Sequence, residues 1–104
     1  MAGLMVSVAE PADGVPVVVV AGDLDMATAG DMSQRLAEVV GTGTDVVVDL
    51  SGLEFIDSTG LSALIAARRV SEGRGRTLTL RRPARCVRRV LGITGLDQVF
   101  AIEW

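Results

Sequence analysis

The feature that most constrains the fold is a pair of apolar runs in which polar residues do not alternate with apolar ones. The first run extends from Val15 to Ala21, and the second extends from Asp45 to Leu50 with three consecutive valines at its centre. The second run is typical of a strand that is buried on both faces, as in a largely parallel sheet. Pro16 in the first run indicates the beginning of a strand or an edge position. The two runs therefore predict strands that could be neighbours in one sheet.

Weaker patterns predict the rest of the sheet. Three further segments have strand character: Leu4–Val8, Arg76–Leu80 and, as a last short strand or helical turn, Val99–Ile102. The turn signal Pro11–Gly14 is short enough to make the first two strands antiparallel. We expect Gly22–Asp25 to end the second strand, and a loop after Leu50 to carry Phe55 and Ile56 as apolar anchors.

Three helices are predicted from apolar residues at helical spacing. The first begins at Thr28, with Asp31 as a weak capping-box partner, and ends at Gly41–Gly43. The second is capped by Asp57 or Ser58 and ends near Gly73. The third begins at Pro83 and stops at Gly92. The expected core residues of these helices are Met32, Leu36, Val39, Val40, Leu61, Leu64, Ile65, Val87, Val90 and Leu91.

Strands that alternate with helices indicate an α/β fold, with one mixed, mostly parallel sheet and helices packed against it. The 104 residues are the size of one domain, which we expect to span 1–104. A lone cysteine, Cys86, and the absence of a signal-peptide pattern or an 18-residue apolar run predict a cytoplasmic protein that does not enter membranes.

The composition argues against an enzyme. The chain has no histidine, which excludes a Ser-His-Asp triad, and one cysteine, which disfavours a zinc site. Ile56 stands where a nucleophile elbow would need its first glycine. A phosphoaspartate switch at Asp49 or Asp57 is disfavoured by the absence of lysine and of acids in the first strand. We therefore expect no catalytic residue, metal or cofactor.

Charge is distributed unevenly along the chain. Residues 1–67 hold ten acids and one arginine, and residues 68–104 hold nine arginines and three acids, giving net charges of −9 and +6. A cluster of arginines lies late in the chain: Arg81, Arg82, Arg85, Arg88 and Arg89. Low aromatic content and overall acidity argue against a nucleic-acid binder, which leaves a solvated or partner-docking helix face.

The strongest candidate site lies at the start of the second helix. The small residues Ser58, Thr59 and Gly60 leave a hydroxyl accessible at a helix N-terminus, where a phosphate would be favoured. Ser58 has the simpler reading of an ordinary helix cap, and spacing alone favours that reading. Asp23 and Asp25 are expected near Asp57, either as recognition groups or as caps.

Three motifs in order resemble the STAS domains of bacterial anti-sigma factor antagonists. The segment from Val46 to Leu61, VVVDLSGLEFIDSTGL, resembles the family signature. The segment from Gly22 to Asp25 resembles the family's Gly-Glu-Leu-Asp element, with Asp23 standing where Glu is more common. The segment from Val90 to Phe100 resembles the C-terminal pattern. The match covers nearly the whole chain.

This resemblance implies a STAS-like fold and a partner-switching function. In the family, the unphosphorylated antagonist binds an anti-sigma factor that is also a serine/threonine kinase of the histidine-kinase-like ATPase class. The kinase then phosphorylates the Asp-Ser-(Ser/Thr)-Gly-Leu motif, and a PP2C-type phosphatase reverses this. By position, Ser58 is the implied acceptor, with Thr59 as a weaker candidate. The implied partner contacts are Asp23, Asp25, Asp57, Gly60 and Leu61. The alternative is an unphosphorylated STAS subunit of a lipid-transport or stress-signalling complex.

Overall fold

The computed structural model describes residues 3–10 and 13–104. Its elements follow the predicted order of strands and helices, with a 3₁₀ turn at Leu96–Gln98 before the last strand. The strands are β1 Leu4–Ala9, β2 Val17–Leu24, β3 Val46–Ile56, β4 Leu78–Arg81 and β5 Ala101–Glu103. The helices are α1 Ala29–Val40, α2 Ser58–Gly73 and α3 Arg85–Thr94. Pro11 and Ala12 of the predicted turn lie outside the described residues.

The five strands form one sheet in the order β1-β2-β3-β4-β5. Strand β1 pairs antiparallel with β2, and each later pair is parallel. The predicted mixed, mostly parallel sheet is therefore confirmed. Parallel neighbours bring the carboxyl ends of β2 and β3 to the same edge of the sheet, which is where α1 and α2 begin.

The core lies on one face of this sheet. Alternate strand residues point to it, including Val18 and Val20 in β2 and Val46, Val48 and Leu50 in β3, each with 0% exposure. Helix side chains complete the same apolar cluster, among them Met32, Leu36, Leu64, Val87 and Leu91. Burying these side chains is the main stabilising contribution, at roughly 1.5–3 kcal/mol for each large one.

Strands β2 and β3 are longer than predicted. Strand β2 ends within the predicted segment Gly22–Asp25, but it continues to Leu24 and does not break at Gly22. Gly22 adopts a φ of +101°, and a Cβ there would clash with the Gly3 carbonyl oxygen, so the position requires glycine. The expected loop after Leu50 is also absent from the structure, since β3 runs on to Ile56.

The added length of β3 contains two irregularities. Val17 pairs with Val47 and Leu24 pairs with Ile56, so β3 accommodates two more residues than β2 over the same ladder. These β-bulges interrupt the alternation of faces. As a result Ile56 is buried as predicted, whereas Phe55 is 47% exposed and does not anchor the core.

The end of α3 also differs from the prediction. Gly92 does not stop the helix, which continues to Thr94 and is ended by Gly95 with a φ of +76°. A left-handed residue closes a helix at little cost when it is glycine. Gly92 keeps ordinary helical geometry, so glycine there has no terminating effect.

Candidate functional site

The carboxyl ends of β2 and β3 lie side by side and carry the predicted acidic residues. The Asp57 N–H donates to the Leu24 carbonyl at 3.2 Å, which ties the end of one strand to the end of the other. The prediction that these two strands are neighbours is confirmed. Asp23, Asp25 and Asp57 therefore share one edge of the sheet.

The β3–α2 junction, residues 57–60, is shaped by the Asp57 side chain. Asp57 has extended backbone angles, and its Oδ1 accepts from the Thr59 N–H at 2.9 Å and from the Gly60 N–H at 3.1 Å. These are two of the N–H groups that a helix start leaves without partners. Asp57 is therefore the N-cap, and Ser58 is the first helical residue.

Because Asp57 supplies the cap, the Ser58 hydroxyl has no structural task that the described residues reveal. Ser58 and Thr59 are both exposed. Within residues 3–10 and 13–104, neither hydroxyl makes a hydrogen bond. The accessible hydroxyl expected at this helix start is present, and Ser58 and Thr59 offer it equally.

Gly60 and Leu61 face inward. A Cβ on Gly60 would lie 2.5 Å from Leu24 Cγ and 2.9 Å from the Leu24 carbonyl oxygen, so only glycine lets α2 approach β2 this closely. Leu61 is 8% exposed and belongs to the core cluster. The structure gives both residues a packing role, and a direct contact with a partner stays a prediction for them.

The β2–α1 junction, residues 25–28, has the same arrangement. Asp25 Oδ1 accepts from the Ala27 N–H at 2.9 Å and from the Thr28 N–H at 3.2 Å. Its carbonyl accepts from the Ala29 N–H at 2.8 Å, as the Asp57 carbonyl accepts from Leu61 at 3.0 Å. Asp25 therefore holds its turn as Asp57 holds the start of α2.

Thr28 has a different task from the one predicted. Its side chain makes no capping bond to α1, so the weak capping box with Asp31 is absent. Its hydroxyl instead donates to the Asp23 carbonyl at 2.8 Å and accepts from the Asp25 N–H at 3.0 Å. The turn is thus tied back to the end of β2.

Asp23 differs from the other two acids. The Asp23 backbone N–H donates a hydrogen bond to the Gly3 carbonyl at 2.8 Å. Its half-buried carboxylate accepts no hydrogen bond from the part of the chain that the structure describes. Of the three predicted acids, Asp23 is the one whose carboxylate is not already used to shape a turn.

Met26 is a site residue that the sequence reasoning missed. It occupies the position after Asp25 that Ser58 occupies after Asp57, and it is 80% exposed. The sequence signal that could have found it is an aspartate directly after each of two strands, Asp25 after β2 and Asp57 after β3. Met26 and Ser58 can be recognised as equivalent positions only when these two strands are known to be neighbours.

The late arginines divide into two groups. Arg81 pairs with Glu103 at 3.0 Å, and Arg82 pairs with Asp49 at 3.0 Å. Burial alone would raise the pKa of the Asp49 carboxyl, but hydrogen bonds from Ser51 and the Arg82 guanidinium hold it below its ordinary value. The other three are exposed and form no ion pair within the described ranges: Arg85, Arg88 and Arg89.

The candidate site is an exposed surface. A separate groove of about 400 Å³ between α1 and α2 is lined by small side chains such as Ala37 and Ala63, and it includes none of the predicted site residues. In residues 3–10 and 13–104, no helix combines the length and apolarity needed to cross a membrane. A flat site with acidic and hydroxyl groups suits a macromolecular partner better than a small ligand.

Comparison with known proteins agrees with this geometry. Residues 8–102 match the family described as Mlab, STAS domain. The anti-sigma-F factor antagonist RsfB of Mycobacterium tuberculosis is 36% identical over 93 residues, covering 86% of this chain and 74% of the relative. The anti-sigma-B factor antagonist of Bacillus subtilis is 27% identical over 84 residues, covering 81% and 77%.

A solved structure gives the same result. The crystal structure of an anti-sigma factor antagonist from Mycobacterium paratuberculosis has a TM-score of 0.78 and 36% identity, covering 97% of this chain and 86% of that one. The fold, the order of the motifs and these matches agree over most of each chain. The chain belongs to the STAS domain family, and its relatives include proteins named anti-sigma factor antagonists.

Proposed function

We propose that this chain is an anti-sigma factor antagonist that is released from its partner when Ser58 is phosphorylated. The observation that carries this proposal is the division of labour at the β3–α2 junction. Asp57 caps α2, and the neighbouring Ser58 hydroxyl is exposed without a hydrogen bond among the described residues. A hydroxyl with no structural task can be modified without loss of the fold.

The partner in this proposal is an anti-sigma factor that is also a serine/threonine kinase of the histidine-kinase-like ATPase class. The unphosphorylated antagonist binds it and frees the sigma factor. The kinase then transfers the γ-phosphoryl group of ATP to Ser58 Oγ, so that a P–O bond to serine forms, ADP leaves and the hydroxyl proton is released. The chain itself is not an enzyme, because the kinase supplies the chemistry.

The charge at the junction explains why phosphorylation would end the interaction. A phosphate adds about 1.5 to 2 negative charges at neutral pH. A helix N-terminus ordinarily stabilises a phosphate, but here Asp57 Oδ1 already accepts from the Thr59 and Gly60 N–H groups. In this mechanism the kinase holds the γ-phosphate of ATP against Ser58 Oγ. A phosphate already on Ser58 would therefore stand beside the Asp57 carboxylate and against the phosphates of the next bound ATP, so that like charges repel across the interface.

The remaining parts of the cycle follow from the same proposal. A PP2C-type phosphatase removes the phosphate and restores the binding form. The cycle consumes ATP and operates in the cytoplasm, without contact between this chain and nucleic acid or membrane. The 104 residues act as one STAS domain.

A phosphorylation assay tests the acceptor. Each histidine-kinase-like anti-sigma factor of the source organism is purified and incubated with the chain and ATP, and the product is examined by intact and peptide mass spectrometry. We expect one phosphate on the peptide containing residues 57–61, its loss in Ser58→Ala and its retention in Thr59→Val. A phosphate that persists in Ser58→Ala and disappears in Thr59→Val would move the switch to Thr59.

A binding assay tests release by charge. Ser58→Asp and Ser58→Asn have nearly the same shape and differ by one negative charge, so they form a matched pair. We expect Ser58→Asp to weaken binding to the cognate anti-sigma factor, while Ser58→Asn and Ser58→Ala bind like the unmodified protein. Equal affinities of the Asp and Asn variants in calorimetry would contradict release by charge.

The alternative predicts different results in the same experiments. An unphosphorylated STAS subunit of a lipid-transport or stress-signalling complex would gain no phosphate with any kinase of the panel. It would also copurify with a transporter ATPase or a scaffold protein, and not with a histidine-kinase-like ATPase. Identifying the copurifying protein therefore separates the two functions.

A further inference from the structure

We propose, resting on the function proposed above, that Met26 and Phe55 form the apolar centre of the partner-binding surface around Ser58. They fit an apolar pocket on the anti-sigma factor that is ringed by arginine or lysine side chains. Neither residue belongs to the phosphoacceptor motif Asp57–Leu61, and each is exposed for a different structural reason.

Met26 is exposed because the β2–α1 junction holds it outward. The residues on both sides are fixed, since Asp25 Oδ1 accepts from the Ala27 and Thr28 N–H groups. The Thr28 hydroxyl ties the same turn to the Asp23 carbonyl at 2.8 Å. Because the backbone of this turn is already fixed, covering the Met26 side chain, which is 80% exposed, costs its rotamer freedom and no ordering of the loop.

Phe55 is exposed because of the second irregularity in β3. The register shift between Gly22 and Asp23 leaves Glu54 as an extra residue, and Phe55 then pairs with Asp23. Leu24 and Ile56, the next pair along the ladder, point into the core. Phe55 and Asp23 therefore lie together on the opposite face, directly before the two junctions.

The charges around these two side chains define the partner. Acidic residues lie on each side of them, namely Asp23, Asp25, Glu54 and Asp57. Apolar residues within a charged rim are the usual composition of a binding hot spot, and methionine and aromatic residues are enriched there. Because the rim is acidic, the complementary surface is basic, which favours a folded protein with cationic residues around an apolar pocket.

Two exposed apolar residues elsewhere provide matched controls. Ile93 on α3 is 77% exposed, close to the value for Met26. Val70 on α2 is 52% exposed, close to the value for Phe55, and lies twelve residues after Ser58, about 18 Å along the helix axis. Replacing them removes similar apolar surface away from the two junctions.

The experiment compares serine substitutions by surface plasmon resonance, with the anti-sigma factor of the panel that binds the unmodified chain as the probe. We expect Met26→Ser and Phe55→Ser each to weaken binding at least about tenfold, mostly through faster dissociation. Ile93→Ser and Val70→Ser should change the affinity less than about twofold. Asp23→Asn should slow association and reduce its salt dependence, because it removes a rim charge.

Thermal unfolding of each variant checks that the substitution leaves the fold intact. If Phe55→Ser proves unstable, the affinity of Met26→Ser tests the proposal, because the Met26 side chain is largely exposed to solvent and contributes little to stability. If the unmodified chain binds and Met26→Ser binds as tightly as Ile93→Ser, the apolar centre is wrong and the proposed function stands. If the unmodified chain binds no anti-sigma factor of the panel, both proposals are overturned.

Discussion

The β2–α1 and β3–α2 junctions have the same geometry and different contents. In each, an aspartate follows a parallel strand and accepts, through Oδ1, from the N–H groups two and three residues later. The residue directly after the aspartate is held outward, and it is Met26 in one junction and Ser58 in the other. One local structure thus presents two different chemistries at one edge of the sheet.

The junctions differ most at their fourth residue. In the β2–α1 junction this residue is Thr28, whose hydroxyl reaches back to the Asp23 carbonyl. In the β3–α2 junction it is Gly60, which has no side chain because Leu24 occupies the space. Beyond the aspartate hydrogen bonds that both share, the first junction is fixed by the Thr28 hydroxyl and the second by close packing of Gly60 on Leu24. This difference predicts how each responds to substitution.

The largest effect is expected from Gly60→Ala. The new Cβ would meet the branch point and carbonyl of Leu24, neither of which moves easily, so we expect a loss of about 2 kcal/mol in the free energy of unfolding. The control is Gly30→Ala in α1, where a Cβ meets nothing within 4 Å and alanine favours the helix. Urea denaturation measures both, and a Gly60→Ala variant as stable as Gly30→Ala would show that packing does not fix this junction.

A smaller effect is expected from removing the two aspartates. Asp57→Ala and Asp25→Ala should each cost about 1 kcal/mol of unfolding free energy, since each leaves two N–H groups without their carboxylate acceptor. Asp57→Ser should recover most of the loss, because serine also caps helices. Unequal losses in thermal or urea unfolding would show that the two junctions are not energetically equivalent.

A still smaller effect is expected from Thr28→Val, which keeps the shape and removes the hydroxyl. The Asp23 carbonyl and the Asp25 N–H lose their partner, but the site is only half-buried and water can replace it. We expect a loss of roughly 0.5 to 1 kcal/mol in chemical denaturation. Thr28→Ser keeps the hydroxyl and should retain most of the stability. A loss of the same size in both variants would assign the effect to packing.

The smallest effect on stability is expected from Ser58→Ala. Asp57 caps the helix, so the unfolding free energy should change by less than about 0.5 kcal/mol. The neighbouring Asp57→Ala variant, measured under the same conditions, provides the scale. A loss of about 1 kcal/mol or more for Ser58→Ala would show that its hydroxyl stabilises the junction, and would weaken the proposal that it is free for modification.

The regular parts of this fold were predictable because they depend on repeated apolar spacing. The valine runs identified β2 and β3, and Met32, Leu36, Val39 and Val40 identified the buried face of α1. The identity of the cap was not predictable, since aspartate and serine both favour that position and only the extended backbone of Asp57 decides between them.

The irregular parts were not predictable for a related reason. A bulged strand does not alternate, so Ser51 to Phe55 looks like a loop when only spacing is considered. The exposure of Phe55 depends on its register with Asp23, which is a contact between distant parts of the chain. The part played by Met26 likewise depends on the turn made by Asp25 and Thr28.

The two extra residues of β3 have a consequence for the permitted lengths of related chains. Without them, the pairing of Val17 with Val47 would continue in step and place Asp25 beside Phe55, leaving Asp57 two residues beyond, about 7 Å further along the strand. A deletion of one residue between Leu50 and Glu54 would turn the following side chains to the opposite face. The spacing from the valine run to the serine is therefore under geometric constraint, and insertions or deletions should be accommodated in the loops at the other end of the sheet.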